Sequence, residues 1–300
     1  MNNNSVEFSW FNLSCIGENV IGQPADSVKF CRFCKKPYKP EDFSQRSHVV
    51  SESLGNKAVI SSDECDSCNN HFSKIEQDFF IFNKYFLILD NIKGKNNTSP
   101  CFNQGNFKFY NSGNTIVYQV PSSEMKPIMK GLNNGCLHIE RMGNNDKFRP
   151  LNVYKALVKF AISILPISYL HSFDETIHWL NIDGPLSSGI SSGICLPPVF
   201  HTIVDSVSSP TIKVHIQTSQ NHSLPYAWGE FQCASIKYIF VLPFTSHWDF
   251  DYSNAENMLK YGKLITQITS MPNITRDDLS SYELHRVKLD TNILIESSNP

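Results

Sequence analysis

The chain has 300 residues, a formal net charge of −2 and a charged share of 18%. This length suits one large domain or two ordinary ones, and the hydrophobic share of 41% is typical of a globular protein. The near-neutral balance excludes a chain that is basic throughout and holds nucleic acid by its overall charge. No stretch reaches about 18 consecutive apolar residues, so the sequence predicts no membrane span.

The beginning of the chain lacks the basic and apolar regions of a secretion signal. Residues 6–13 are rich in aromatic side chains and predict a strand. Five of the nine cysteines are scattered without a spacing pattern, whereas the other four form two close pairs. Free thiols and a thiolate metal site both fit a reducing compartment, so we expect a cytoplasmic protein.

The two cysteine pairs have the spacing of a zinc site. Cys31 and Cys34 form the first C-x2-C pair, and Cys65 and Cys68 form the second, 30 residues later. Each pair turns two sulfurs to one side of a tight loop, and two such loops together supply four thiolates to one tetrahedral Zn²⁺. Four protein ligands leave no open position, so this zinc is predicted to be structural.

The segment between and after the pairs predicts two strands followed by a helix. Val49 and Val50 suit a strand that begins near His48, and residues 58–60 suit the returning strand of the hairpin. Residues 66–90 predict a helix because Phe72, Ile75 and Phe79 repeat at helical spacing. The residues therefore predict a β-β-α unit held by zinc, with a zinc core over residues 31–90.

The rest of the chain predicts an α+β domain. Residues 91–106 are rich in Asn, Gly, Lys and Pro and predict a linker, and residues 132–149 read as polar turns. Helices are predicted at residues 152–164, 174–180 and 254–268, with strands at 199–207, 211–217 and 231–243. We thus expect a first module at residues 1–95 and an accessory, sensing or substrate-binding domain at 96–300.

Residues 31–95 resemble the HNH endonuclease family, in its compact four-cysteine bacterial branch. The matching positions are the two cysteine pairs, residues 47–57, Glu64, Asp66, Asn69, Phe72, Glu76, Gly94 and Lys95. A weaker likeness continues over residues 153–157. The resemblance implies a ββα-metal, treble-clef-like fold that hydrolyses phosphodiester bonds with one divalent cation. It also implies DNA as the substrate, does not exclude RNA, and suggests a role in anti-phage defence.

The residue chemistry agrees with that activity. His48 is the candidate general base, since a neutral imidazole accepts a proton near pH 7. Asn69, Glu76 and His71 are the candidate ligands of a catalytic Mg²⁺ or Mn²⁺, which prefers oxygen and stabilises the leaving oxygen. Asn56 is the candidate for the middle asparagine of the family motif, which orients the loop that carries the general base. Six Lys or Arg stand against three Asp or Glu at residues 31–60, which suits a phosphate substrate.

One departure from the family pattern keeps a second hypothesis open. Many members carry an acid immediately before the histidine, and this chain has Ser47 there. The alternative is therefore a non-catalytic zinc module that binds nucleic acid or a partner protein. A third hypothesis places the activity in residues 107–300, but no Gly-rich phosphate loop or nucleophile elbow supports it. The sequence leaves open whether the chain forms a homo-oligomer.

Overall fold

The structure is a computed structural model that describes residues 8–16, 19–23, 29–113, 115–124, 136–185, 196–219, 222, 224–247, 250–269 and 273–294. Its α-helices are α1 Asp66–Leu89, α2 Pro150–Ile164, α3 Asp174–Asn181 and α4 Ala255–Thr269. Its strands are β1 Phe8–Ser14, β2 Asn19–Ile21, β3 Ser47–His48, β4 Val59–Ser61, β5 Cys101–Gln104, β6 Phe107–Ser112, β7 Thr115–Gln119, β8 Cys136–Phe148, β9 Val199–Gln217, β10 Ala227–Val241, β11 Thr275–Asp277 and β12 His285–Leu294. The predicted α+β class is confirmed.

The largest sheet forms around the long strand β9. β10 pairs with β9 antiparallel, β1 pairs with the second half of β9, and β11 pairs with its beginning. The β10 ladder is irregular between Gln232 and Ile236, where Ala234 adopts a positive φ of 55°. Such a bulge bends a strand, and here it separates the β1 end of the sheet from the β11 end.

Helix α2 lies at the centre of the molecule. Its 15 residues include 13 that are buried, since it is covered by the main sheet on one side and by α1 on the other. The rings of Phe79 and Phe160 lie 5.7 Å apart, and those of Phe160 and Phe231 lie 5.0 Å apart, linking α1, α2 and β10. Aromatic contacts of this kind add to the free energy of apolar burial.

The zinc segment shares this core. A small sheet pairs β3 antiparallel and β2 parallel to β4, which makes the predicted hairpin at His48. Val49, Val50 and Leu54 of the hairpin are buried in the same hydrophobic cluster as residues of α2, β9 and β10. The predicted division at residue 95 stays a prediction, and this core extends across it.

An arginine ties the first cysteine turn to α2. Arg32 is 1% exposed and donates two hydrogen bonds to the Asp63 carboxylate, at 2.7 and 2.9 Å. Its remaining nitrogen donates to the carbonyls of Ile162 and Ser163 at the end of α2. A guanidinium suits this place because it carries several donors in one plane and neutralises the negative end of a helix.

Two local predictions are wrong. The predicted linker at residues 91–106 contains strand β5, which pairs with β6 and buries Phe102 in a second hydrophobic cluster. The stretch predicted as polar turns, residues 132–149, contains β8, whose partner is the distant strand β12. Residues 132–135 of that stretch lie outside the described part. Within the described residues, no helix has the length and apolar character needed to cross a membrane.

Candidate functional site

The four paired cysteines meet at one point. Their sulfur atoms all lie within 4.8 Å of one another, and Sγ of Cys34 is 3.6 Å from Sγ of Cys65. Tetrahedral Zn²⁺ with four sulfur ligands needs sulfur separations of about 3.8 Å, so the cluster fits a zinc ion. The cysteines are buried except for Cys34, which is exposed. A closed set of four thiolates leaves no position for substrate.

Local backbone geometry explains how the cysteines converge. The first pair lies in a turn in which Cys31 N–H bonds the Lys36 carbonyl at 2.7 Å, and Lys35 takes a positive φ of 61°. The second pair lies at the start of α1, where Cys65 is the N-cap residue. Its backbone N–H donates to Sγ of Cys31 at 3.4 Å, which joins the two turns.

The thiols of the cluster are electrostatically unequal without a metal. A hydrogen bond from Cys68 lowers the pKa of Cys31 to about 5, whereas burial raises the pKa of Cys34 to about 11. The pKa of Cys68 is raised by the same hydrogen bond and by burial. The negative charge of one thiolate therefore disfavours ionisation of the next thiol. A dication that binds the four sulfurs neutralises this charge and displaces the thiol protons.

His48 lies half-buried on β3, opposite Ile60 of β4. Its Nδ1 atom is buried and has no hydrogen-bond partner among the described residues. Burial lowers the pKa of His48 below its ordinary value, and the positive charges of Arg46, Lys159 and Lys95 act in the same direction, against Glu52. His48 is therefore neutral near pH 7, the state that a general base requires.

Asn56 fastens the loop that follows His48. Its side chain is fully buried and donates to the carbonyls of Val50 and Val59, at 2.8 and 2.9 Å. Its Oδ1 accepts from the N–H groups of Ala58 and Val59, at 3.2 and 2.9 Å. These four bonds hold the two strands of the hairpin together and occupy the side-chain oxygen; the orienting role of Asn56 stays a prediction.

Replacing Asn56 with alanine is expected to destabilise the protein by about 2–4 kcal/mol, because buried backbone groups lose their partners. Chemical denaturation measures the effect. Asn103→Ala, at an exposed asparagine of β5, is the control, and an equal loss of stability in both variants would contradict the assignment.

Asn69 lies in the first turn of α1, next to the segment that leads into His48. Its Nδ2 donates to Oε1 of Gln45 at 3.3 Å, so its own carbonyl oxygen is not used in that contact. Asp66, one turn earlier, accepts from the backbone of Gln45 at 3.0 Å and from the Ser44 hydroxyl at 2.7 Å. These three hydrogen bonds join the start of α1 to the segment that leads into His48.

Glu76 and His71 have protein partners. Oε1 of Glu76 lies 2.7 Å from Nζ of Lys159. Nε2 of His71 lies 3.0 Å from the Leu180 carbonyl, next to the end of α3. Ser47 is buried and its hydroxyl contacts the Glu64 carbonyl at 3.4 Å. These positions favour structural roles for all three side chains.

Lys159 of α2 is a residue that the sequence did not single out. Nζ is 3.3 Å from the Val49 carbonyl and 3.2 Å from that of His48, and it also lies 3.4 Å from the Glu64 carboxylate. Burial opposes its charge, but Glu64 and Glu76 outweigh burial and raise the pKa of Lys159. The available signal was a pair of lysines, Lys155 and Lys159, on a mostly apolar helix, and the partners of Lys159 are distant in sequence.

Residues 31–83 match the family model described as HNH endonuclease. The matched segment contains the sulfur cluster and every candidate site residue: Cys31, Cys34, His48, Asn56, Cys65, Cys68, Asn69, His71 and Glu76. No curated protein and no solved structure matches this chain. The predicted resemblance is confirmed over these residues, and the cysteine cluster fits the zinc knuckle of such a segment.

Proposed function

We propose that the chain is a metal-dependent HNH endonuclease that hydrolyses phosphodiester bonds of DNA. The observation that carries the proposal is His48, a half-buried histidine inside the matched segment that burial keeps neutral near pH 7. A neutral imidazole has a nitrogen that can accept a proton from an attacking water. Arg46 and Lys95 supply positive charge close to His48, which favours a phosphate there.

The chain residues have separate tasks in this reaction. His48 takes the proton of the water, and Asn56 keeps the loop after His48 in place. The cluster of Cys31, Cys34, Cys65 and Cys68 holds a structural Zn²⁺ that joins the hairpin to α1. The positive end of α1 faces the segment before His48 and favours the phosphate charge.

Asn69 is the protein ligand that we assign to the catalytic cation. Its carbonyl oxygen is the donor type that Mg²⁺ and Mn²⁺ prefer, and a site with few protein ligands leaves room for water and phosphate. When bound, the cation stabilises the departing 3′ oxygen as a Lewis acid. Glu76 and His71 are left out of the ligand set, because Lys159 and the Leu180 carbonyl already hold them.

The alternative function is a zinc module that binds nucleic acid or a partner protein without cleaving. Ser47 supports it, since the buried hydroxyl at this position supplies no carboxylate to a cation. The charged surroundings of His48 suit phosphate binding in either case, and RNA is the second possible substrate. A homo-oligomer and a cytoplasmic location stay predictions.

Incubation of the zinc-loaded full chain with supercoiled plasmid separates the two functions. We expect nicked and linear DNA with Mg²⁺ or Mn²⁺, and none with EDTA added at a concentration that leaves the zinc bound. The same samples are run in a gel-shift assay with a short duplex and with single-stranded RNA. Tight binding without cleavage in either metal would replace the nuclease proposal with the alternative.

Cleavage is expected to depend on pH through His48. Protonation removes the base, and burial lowers the pKa of His48 from 6.5. Activity should therefore rise with pH, reach half its maximum below pH 6.5 and stay level to about pH 8. The measurement is kcat/KM against pH at fixed ionic strength, with zinc content checked at each point. A midpoint above 6.5 contradicts the assignment of a desolvated base.

A role in anti-phage defence is part of the proposal as its biological setting. The family resemblance is its support, and plaque counts on a bacterial strain carrying the wild-type chain test it. A strain carrying the His48→Ala variant is the control. Equal plaque counts for the two strains would remove the defence role and leave the enzymatic proposal unaffected.

A further inference from the structure

We infer that Lys159 is a positioning residue for His48, supplied from outside the matched segment; this inference rests on the proposed function. Lys159 is 1% exposed and lies 111 residues from His48 in sequence. Its ammonium group donates to the backbone carbonyls of His48 and Val49, at 3.2 and 3.3 Å. Both bonds go to backbone carbonyls, so neither of them contacts the imidazole ring.

Apart from the bonds that Asn56 makes to Val50, Ala58 and Val59, the hairpin has few hydrogen bonds near His48. Strand β3 consists of Ser47 and His48 alone, and the next backbone bond, from Val49 N–H to the Val59 carbonyl, is long at 3.4 Å. A short strand end with few ladder bonds allows a small rotation of the residue, and an error of about 1 Å in a catalytic group costs on the order of 100-fold in rate. Two charge-assisted bonds from Lys159 oppose that rotation.

The surroundings of Lys159 show why a charged lysine stays in the core. Glu76 lies 2.7 Å and Glu64 3.4 Å from Nζ, and these acids are the charges that make burial of the ammonium acceptable. Glu76 belongs to α1 and Glu64 precedes the zinc ligand Cys65, so Lys159 joins the loop after His48 to the start of that helix.

The same helix is anchored to the zinc knuckle one turn further on. Arg32, beside the zinc ligand Cys31, donates to the carbonyls of Ile162 and Ser163. The last two turns of α2 thus hold the base through Lys159 and the first cysteine turn through Arg32. The distance between the zinc knuckle and His48 is set by a helix that begins at Pro150, far beyond the matched residues 31–83.

The test compares two buried lysines of α2 in the full chain. Lys159→Met removes the bonds to His48 and Val49, whereas Lys155→Met removes a buried lysine one turn earlier that bonds the Ile182 carbonyl. We expect kcat for plasmid nicking to fall about 10- to 100-fold in Lys159→Met, with KM and zinc content within about twofold. Lys155→Met should keep kcat within about twofold. Wild-type kcat in Lys159→Met overturns the inference.

A second pair of variants separates positioning from folding. Lys159→Met with Glu76→Gln and Glu64→Gln removes all three buried charges, so the chain should fold while kcat stays low; recovery of kcat in this variant overturns the inference. Lys159→Arg keeps the charge and should restore part of kcat.

An imidazole NMR spectrum gives a readout that does not need activity. We expect the His48 Hε1 signal to move in Lys159→Met and to stay in place in Lys155→Met. If the wild-type chain cleaves nothing, the proposed function fails, and this signal alone decides the inference. An unchanged His48 signal in Lys159→Met overturns it.

Discussion

Replacement of Cys65 with serine is expected to release the zinc and to unfold the hairpin around His48. Structural Zn²⁺ sites contribute apparent binding energies of about 10–16 kcal/mol in small zinc domains. The hairpin here also packs on α2, so part of the fold survives, and we expect a net loss of at least ~4 kcal/mol. That loss corresponds to a fall in Tm of roughly 10 °C for a protein of this size.

The geometry explains why one cysteine matters so much. Cys65 supplies a sulfur within 4.8 Å of the other three, and its N–H also bonds Sγ of Cys31. Zinc content by atomic emission and thermal unfolding measure the effect. Cys101→Ser, at a half-buried cysteine of β5 outside the cluster, is the control. Full zinc content and an unchanged Tm in Cys65→Ser would exclude this cluster as the zinc site.

Replacement of His48 with alanine is expected to lower kcat for DNA cleavage by about 10²- to 10⁴-fold, the usual contribution of a general base. KM and DNA affinity should change little, because the phosphate is held by the surrounding positive charges. Nδ1 of His48 has no hydrogen-bond partner among the residues that the structure describes, so removal of the ring breaks no hydrogen bond there. The variant should keep its zinc and its melting temperature.

His178→Ala is the matched control for this experiment, since His178 is an exposed histidine of α3 outside the matched residues 31–83. Single-turnover cleavage of a labelled duplex gives the rate of the chemical step for both variants. A rate for His48→Ala within about threefold of the wild type would take His48 out of the mechanism. The alternative, a zinc module without catalysis, would then be the better-supported function.

Much of the first ninety residues follows from local patterns. The spacing of the cysteines predicts their convergence, and the repeat of Phe72, Ile75 and Phe79 predicts a helix at 66–90, found as Asp66–Leu89. Both patterns act over a few residues, so they can be seen in the sequence. Local patterns failed just after this segment, at the linker predicted at 91–106, where strand β5 forms because Phe102 pairs and packs with residues that follow it.

The sequence by itself determined the zinc ligands, the hairpin with His48 at its start and the amphipathic helix behind them, because each depends on spacing within one short segment. Only the tertiary structure decided that Glu76 pairs with Lys159. It also decided that His71 contacts the Leu180 carbonyl at the end of α3 and that Arg32 donates to a carbonyl at the end of α2. These contacts join polar side chains to partners 80 to 130 residues away in the chain. A charged side chain shows its residue type in the sequence, but its partner depends on which surfaces the hydrophobic core brings together.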